Sequence, residues 1–142
     1  MVSKFLKSNF LTLIFVGVAI ILYFSIRYFF INSPSIYSAL ESEALKINSK
    51  TPIQIDEETR LDSAGVTGER SFDYYYTLIY KSDSVNKDTV TKYVKPLIVA
   101  KLKNNPEMNY FRENDITLNY HYFGYDSLPA VSIEIKPELY KN

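Results

Sequence analysis

FLTLIFVGVAIILYFSIRYFFI, residues 10–31, contains the longest uncharged apolar run in the chain and determines where the rest of the chain folds. Its uncharged core, Phe10 to Ile26, would form a helix of roughly 26 Å, close to the hydrocarbon thickness of a bilayer. The run is apolar on every face, and the remaining domain is too small to surround such a helix in a soluble protein. We therefore predict a transmembrane helix over residues 10–31.

The charges on either side of this run indicate its orientation. Lys4 and Lys7 precede it, whereas the first charged residues of the following domain are acidic, Glu41 and Glu43. Positive charge stays on the cytoplasmic side, so residues 1–9 are predicted to be cytoplasmic and residues 33–142 extracytoplasmic. A cleaved signal peptide is the alternative. The run exceeds the 7–15 apolar residues usual for such peptides, which favours an uncleaved anchor.

The composition of residues 33–142 limits the classes of function. The length suits one domain with a modest core. This part holds all 16 acidic residues and all but three of the 16 basic ones, so its net charge is slightly negative. Nucleic acids and anionic membrane surfaces select for clustered Lys and Arg, so we expect no nucleic-acid partner. The chain has no cysteine, which excludes disulfides and thiol chemistry.

Periodicity predicts helices and strands in alternation. Ser33 and Pro34 mark the start of a helix that ends near Asn48. This helix packs on the domain or, as an alternative, mediates self-association. Ile53 and Ile55 begin an extended segment, and Thr59–Val66 and Arg70–Tyr80 follow as a hairpin. In the second strand, five side chains are expected to face the core: Phe72, Tyr74, Tyr76, Leu78 and Tyr80.

A second helix is expected to run to about Asn104, with a kink or a break at Pro96. Residues 116–123 and 131–135 then form a closing hairpin around Gly124. The order of elements predicts an α+β domain, with two hairpins in one four-stranded antiparallel sheet and the helices on a single face.

A segment of the form P-x-x-(V/I)-D-x-x-T-R-L-D-S lies within this pattern. Together with the apolar span, the Y-x-Y-x-L strand and the internal K-P, it resembles a widespread group of small bacterial envelope proteins. The matching positions are Pro52, Ile55, Asp56, Thr59, Arg60, Leu61, Asp62, Ser63, Tyr74, Tyr76, Leu78, Lys95 and Pro96. The resemblance implies a single-pass protein of the bacterial inner membrane, with a periplasmic domain and no assigned activity.

The carboxylates of this segment are the one candidate for chemistry. Asp56, Glu57, Glu58 and Asp62 include oxygen groups suited to acid–base catalysis or a hard cation, but their spacing matches no closed ion loop. A structural motif of Asp56, Thr59, Arg60 and Asp62 explains them better, with Asp56 bonding turn amides and Arg60 pairing with a carboxylate.

Other common active sites are absent from the sequence. His121 is the single histidine, no serine lies in a G-x-S-x-G context, and four scattered glycines form no phosphate loop. His121 is expected on the solvent side of its strand. We therefore predict no catalytic residue, no metal and no cofactor, and a protein that is not an enzyme.

The thirteen tyrosines are the one compositional excess. Because strands favour aromatic residues for packing, the simplest interpretation is that these tyrosines only pack within the sheet. Tyr75 and Phe123 are opposite in phase to the residues expected in the core, so with Tyr125 they form a candidate protein interface on the open face of the sheet.

These features favour a membrane-anchored binding module that works in, or as an accessory to, an envelope assembly, through a protein partner. A periplasmic inhibitor or immunity protein against a toxin or lytic enzyme is the first alternative. An enzyme using the carboxylates of the segment from Asp56 to Asp62 is the second.

Overall fold

The computed structural model describes the backbone of residues 2–32 and 34–141, and the side chains of residues 16–31 and 34–141. The chain divides into two compact units, Met1–Pro34 and Ser35–Asn142. The first unit is a single helix, α1 (Val2–Asn32). It contains the predicted span, although the side chains of residues 10–15 lie outside those described. Across the described part of the chain, no single helix is long and apolar enough to cross a membrane by itself.

The second unit begins with α2 (Ile36–Asn48), which ends where the periodicity predicts. Its N-cap is Ser35, whose side-chain oxygen accepts a hydrogen bond from the Ser38 amide at 3.1 Å. Ser33, predicted to start this helix, lies outside the described residues. Leu40 and Ala44, one turn apart, are buried against the sheet.

The sheet has five strands in the order β1-β2-β3-β4-β5. Its strands are β1 (Ile53–Gln54), β2 (Thr59–Gly68), β3 (Ser71–Leu78), β4 (Thr117–Phe123) and β5 (Pro129–Ile135). All neighbours are antiparallel except β3 and β4, which run parallel. The α+β class is confirmed. The four-stranded antiparallel sheet is wrong, because β1 adds an edge strand and the two hairpins meet along a parallel pair.

The connection between β3 and β4 explains the parallel pair. It contains α3 (Lys87–Asn104) and α4 (Asn109–Glu113), with short 3₁₀ turns before each. Eighteen residues of α3 span about 27 Å, enough to carry the chain back along the whole of β3. The amide of Thr117 then bonds the carbonyl of Arg70 at 2.9 Å, beside the start of β3. Parallel strands need such a crossover, so β4 starts at the same end as β3.

Pro96 lies inside α3, which continues from Lys87 to Asn104. The predicted break into two pieces therefore does not occur. Packing on both sides of the proline accounts for the difference, since Val94 and Ile98 contact the core and Leu102 is 1% exposed. Tertiary packing of one helix face outweighs the hydrogen bond that proline removes.

The Ser35–Asn142 unit carries its own core. Its most deeply buried side chains are Leu40, Phe72, Leu102, Ile116, Leu118 and Ile135. Phe72 packs edge to face on Phe111 of α4, with ring centroids 5.4 Å apart, and Tyr140 of α5 (Pro137–Tyr140) closes the far side. A unit with a complete core folds independently, so a fragment beginning at Ser35 is suited to solution experiments.

Asn48 joins α2 to the sheet through both atoms of its amide. Its Nδ2 donates to the Ala64 carbonyl at 2.9 Å, and its Oδ1 accepts from the Ala64 amide at 2.7 Å. The short β1 pairs with β2 only at Leu61 and Arg60, so it does not reach Ala64. The Asn48 side chain therefore satisfies the backbone groups that β1 leaves free.

We predict that Asn48→Ala destabilises the Ser35–Asn142 fragment by about 1–3 kcal/mol, because it leaves two backbone groups without partners. Urea unfolding measures this as a lower midpoint at unchanged slope. Ser42→Ala, at an exposed position of the same helix, should leave the midpoint nearly unchanged. Equal midpoints for Asn48→Ala and the natural sequence would contradict the role assigned to Asn48.

Candidate functional site: a tyrosine-floored groove

An apolar groove of about 700 Å³ lies between the sheet and α3. The sheet contributes its floor, α3 one wall, and the loop between β1 and β2 part of its rim. The lining residues are Ile55, Asp56, Glu58, Thr59, Leu61, Tyr74, Tyr76, Leu78, Tyr80, Ser84, Val85, Asn86, Thr89, Val90, Val94, Leu97, Ile98, Lys101, Leu102, Met108, Tyr120 and Tyr122. A volume in this range is typical of ligand-binding clefts.

Four tyrosines form the tyrosine floor: Tyr74, Tyr76, Tyr120 and Tyr122. They occupy alternate positions on β3 and β4, and the parallel register places Tyr74 beside Tyr120 and Tyr76 beside Tyr122. The ring centroids of these pairs are 5.2 and 5.0 Å apart, in stacked geometry. Side chains stand roughly perpendicular to a sheet, so stacked rings expose their hydroxyl edges to the groove.

The hydroxyls of the tyrosine floor make no hydrogen bond with any residue that the structure describes. Burial raises the pKa of the Tyr122 phenol to about 12, and burial also raises the pKa values of Tyr74, Tyr76 and Tyr120. All four phenols are therefore neutral at physiological pH. They offer an occupant of the groove both hydrogen-bond donors and acceptors, within an otherwise apolar surface.

The wall formed by α3 is apolar. It begins at Asn86, whose side chain caps the helix by accepting from the Thr89 amide at 3.0 Å. Val90, Val94, Leu97 and Ile98 then face the groove at helical spacing. Leu97 is 70% exposed and Ile55, on the opposite rim, is 53% exposed. An exposed apolar rim that is continuous with an apolar groove is the usual character of an interaction site.

The structure separates the carboxylates that the sequence grouped together. Asp56 Oδ1 accepts from the Glu58 amide at 2.9 Å, and Glu58 Oε1 accepts from the Tyr80 hydroxyl at 2.5 Å. That hydrogen bond is the main cause of a raised pKa at Tyr80. Asp62 is bonded instead by Arg60 and Thr77. Among the described residues, no three His, Asp or Glu side chains come together as metal ligands.

The other members of the predicted motif have structural surroundings. Arg60 Nε donates to Asp62 Oδ1 at 2.5 Å, and Thr77 Oγ1 donates to Asp62 Oδ2 at 2.5 Å. The Thr77 contact ties β3 to β2, whereas the Arg60 contact lies within β2. Thr59 pairs with Leu78 and lines the groove. The Arg60 and Asp62 side chains are 49% and 31% exposed, so this ion pair contributes about 0–1 kcal/mol.

The candidate interface on the opposite face of the sheet is less open than expected. Tyr75 and Phe123 are partly buried, and only Tyr125, in the turn after β4, is well exposed at 63%. The Tyr75 ring stacks on His121, with centroids 5.0 Å apart. Tyr75 and Phe123 are thus less exposed than an open sheet face predicts, because neighbouring strands place His121, Thr77 and Pro129 beside them. The candidate interface itself stays a prediction.

His121 belongs to a polar network on that face. Its Nε2 lies 2.9 Å from Asp73 Oδ1 and its Nδ1 lies 3.1 Å from Ser132 Oγ. Thr67 Oγ1 donates to the other oxygen of Asp73 at 2.6 Å. Asp73 is 2% exposed, although the sequence pattern places it on the solvent side. Both ring nitrogens of His121 are thus engaged, and the network braces four adjacent strands.

The alternation along β3 placed Tyr74 and Tyr76 among the core-facing residues, and Tyr74 is indeed buried, but it gave no sign of the groove. The signal lies in the repeated pattern Tyr-x-Tyr at 74–76 and 120–122. Leu, Ile or Phe would fill a closed core equally well, whereas a buried tyrosine normally needs a hydrogen-bond partner for its hydroxyl. Two adjacent pairs of such residues therefore indicate a face that stays in contact with solvent or with a ligand.

Three solved structures share the fold of the second unit. A candidate secreted protein from Pseudomonas aeruginosa, PA3611, has a TM-score of 0.65 at 15% identity, over 75% of this chain and 93% of its own. The pilotin EpsS of the Vibrio vulnificus type 2 secretion system has a TM-score of 0.60 at 7% identity, over 75% and 93%. The type II secretion system pilotin AspS of Vibrio cholerae has a TM-score of 0.55 at 12% identity, over 73% and 91%.

Comparison of sequences gives two results. No curated protein matches the chain. The model of a family described as a domain of unknown function, DUF8479, matches residues 35–129, which run from the N-cap of α2 to the first residue of β5. Because the match includes more than half of the sequence, this chain belongs to the DUF8479 family.

Proposed function

We propose that this protein is an extracytoplasmic binding module, accessory to an envelope assembly, which holds an apolar segment of a protein partner in the groove between its sheet and α3. The observation that carries the proposal is the groove itself. It combines apolar walls, an exposed apolar rim and four neutral hydroxyls without partners among the described residues.

An amphipathic helix is the occupant that this shape fits best. Helix-in-groove recognition places the apolar face of a partner helix, with anchors at i, i+3, i+4 and i+7, against a groove of this kind. Aromatic floors suit such interfaces because tyrosine supplies contact area and a hydrogen bond at low entropic cost. The likeness to two pilotins of type II secretion systems supports an accessory role in the envelope.

An N-terminal membrane anchor is part of the same proposal. The described apolar side chains of α1 include Ile21, Phe24 and Phe29, which are 66%, 65% and 72% exposed. Arg27 follows the uncharged core, where its guanidinium can reach the headgroups. The resemblance to small bacterial envelope proteins supports a single-pass inner-membrane setting, with the Ser35–Asn142 unit in the periplasm.

Topology is tested with two reporters fused after Asn142. Alkaline phosphatase should be active, because it needs the periplasm, and a fluorescent protein that matures only in the cytoplasm should stay dark. The reverse pattern would contradict the extracytoplasmic placement. A mature chain beginning near Ile36 would leave the placement intact and replace the anchor with a cleaved signal peptide.

The groove is tested with Leu97→Glu, which adds a charge to the apolar rim at a position that is already 70% exposed. Crosslinking of the full chain in intact membranes, followed by mass spectrometry, should show a loss of partner of at least about tenfold, since covering an unpaired carboxylate with an apolar partner costs more than about 1.4 kcal/mol. The melting temperature should change little.

Ala100→Glu is the matched control, because it places the same charge on the same helix at an exposed position outside the groove lining. It should retain the partner at the natural level. Loss of partner with Ala100→Glu and retention with Leu97→Glu would show that the groove is not the binding site.

A further inference from the structure

The charges of the groove lie at its two ends. Three of its lining residues are charged, namely Asp56, Glu58 and Lys101. All three are exposed, and none forms an ion pair with another residue that the structure describes. Their charges are thus available to a bound molecule.

Backbone contacts show which end each charge occupies. The Glu58 carbonyl accepts from the Ile79 amide at 3.1 Å, so the acidic loop lies beside the carboxyl end of β3. Lys101 precedes Leu102, whose carbonyl accepts from Arg112 of α4 at 2.5 Å. Since α4 leads into β4, which starts beside the amino end of β3, Lys101 lies at the opposite end of the groove.

The separation of the two ends corresponds to a short helix. Asn86, at the acidic end, and Lys101 are fifteen residues apart on α3, or about 22 Å along its axis. Tyr74 and Leu78, which span the floor, are about 13 Å apart along β3. Charges spaced by roughly 15–20 Å on an occupant would therefore reach both ends, which is about three turns of helix.

We propose that the groove selects an amphipathic helix of about three turns with a basic side chain at the end that meets Asp56 and Glu58 and an acidic side chain at the end that meets Lys101. This inference rests on the proposed function and adds to it the charge pattern and length of the partner segment. Complementary charges at the rim of an apolar interface set partner choice and orientation more than total affinity.

A lipid acyl chain is the other apolar occupant of suitable size, and the charges argue against it. A fatty acid carries one charged end, so it would leave either the acidic pair or Lys101 without a partner. A helix with a basic and an acidic end pairs with the acidic residues and with Lys101 at the same time.

The test uses the Ser35–Asn142 fragment and four synthetic peptides with the same apolar stripe at i, i+3, i+4 and i+7. At two positions about eleven residues apart they carry Lys and Glu, Lys and Lys, Glu and Glu, or Gln and Gln. Fluorescence anisotropy measures each Kd. The natural fragment should bind the Lys/Glu peptide about fivefold more tightly than either like-charged peptide.

Charge reversal should change this preference. Lys101→Glu makes both ends acidic, so the fragment should now prefer the Lys/Lys peptide. Glu58→Lys nearly neutralises the acidic end, so the Lys/Glu and Glu/Glu peptides should bind about equally. Lys92→Glu, the same change at an exposed site of α3 outside the groove lining, should keep the natural order. The differences in Kd among the four peptides should disappear near 1 M salt, where the Debye length is about 3 Å.

Each outcome separates this inference from the proposed function. If the four peptides bind equally and Leu97→Glu weakens all of them, the groove binds helices and the charge pattern is wrong. If none of them binds, the proposed function is wrong as well. If lauric acid displaces the Lys/Glu peptide from the natural fragment and from Lys101→Glu alike, the groove holds an acyl chain and the helix proposal is overturned.

Discussion

The parallel pairing of β3 with β4 is the constraint on which the rest of the domain depends. It requires a crossover, and that crossover is α3, which must lie over the face of the sheet between the two hairpins. It also sets the register that places Tyr74 beside Tyr120 and Tyr76 beside Tyr122. Antiparallel pairing of the same strands would remove both the wall and the floor of the groove.

The groove arises because the two long helices cover different parts of one face. α2 packs over β2, where Leu40 and Ala44 are buried and Asn48 bonds Ala64. α3 is anchored by Leu102, while Leu97 remains exposed. Between them the middle strands carry tyrosines in place of aliphatic residues. The domain thus keeps a complete core at the end near Phe72 and an open, amphipathic surface at the end near Tyr76.

The two faces of the sheet have different physical characters. The face toward the helices carries phenol hydroxyls without partners among the described residues and an exposed apolar rim. Covering such a surface with a partner lowers the free energy. The opposite face carries a satisfied network in which Asp73 bonds Thr67 and His121, and His121 contacts Ser132 and Tyr75. Satisfied polar networks stabilise the fold and leave little for a partner to complete.

The locally determined features could be predicted from the sequence. Apolar spacing and alternation predicted the ends of α2 and α3 and both hairpins, because these depend on residues close in the chain. Non-local features could not be predicted. The parallel pair depends on how far α3 carries the chain, β1 is two residues long, and Asp73 is buried only because β2 and β4 bring Thr67 and His121 beside it.

The candidate site was missed for a similar reason. Alternation shows that Tyr74 and Tyr76 share a face with Phe72, but burial of that face depends on the position at which α3 packs on the sheet. Phe72 is fully buried and Tyr76 is only partly buried on the same strand. Periodicity alone therefore assigns both residues to the core, and only the hydroxyl of Tyr76 marks the open part of the face.

The most direct measurement is site-specific photocrosslinking in intact cells that express the full chain. A photoreactive amino acid replaces Leu97, on the groove rim, or Tyr125, which is 63% exposed beyond the end of β4. A partner adduct from position 97 and none from position 125 is the result that a groove-binding accessory protein predicts. An adduct from position 125 with none from position 97 would contradict it and would place the partner away from the groove.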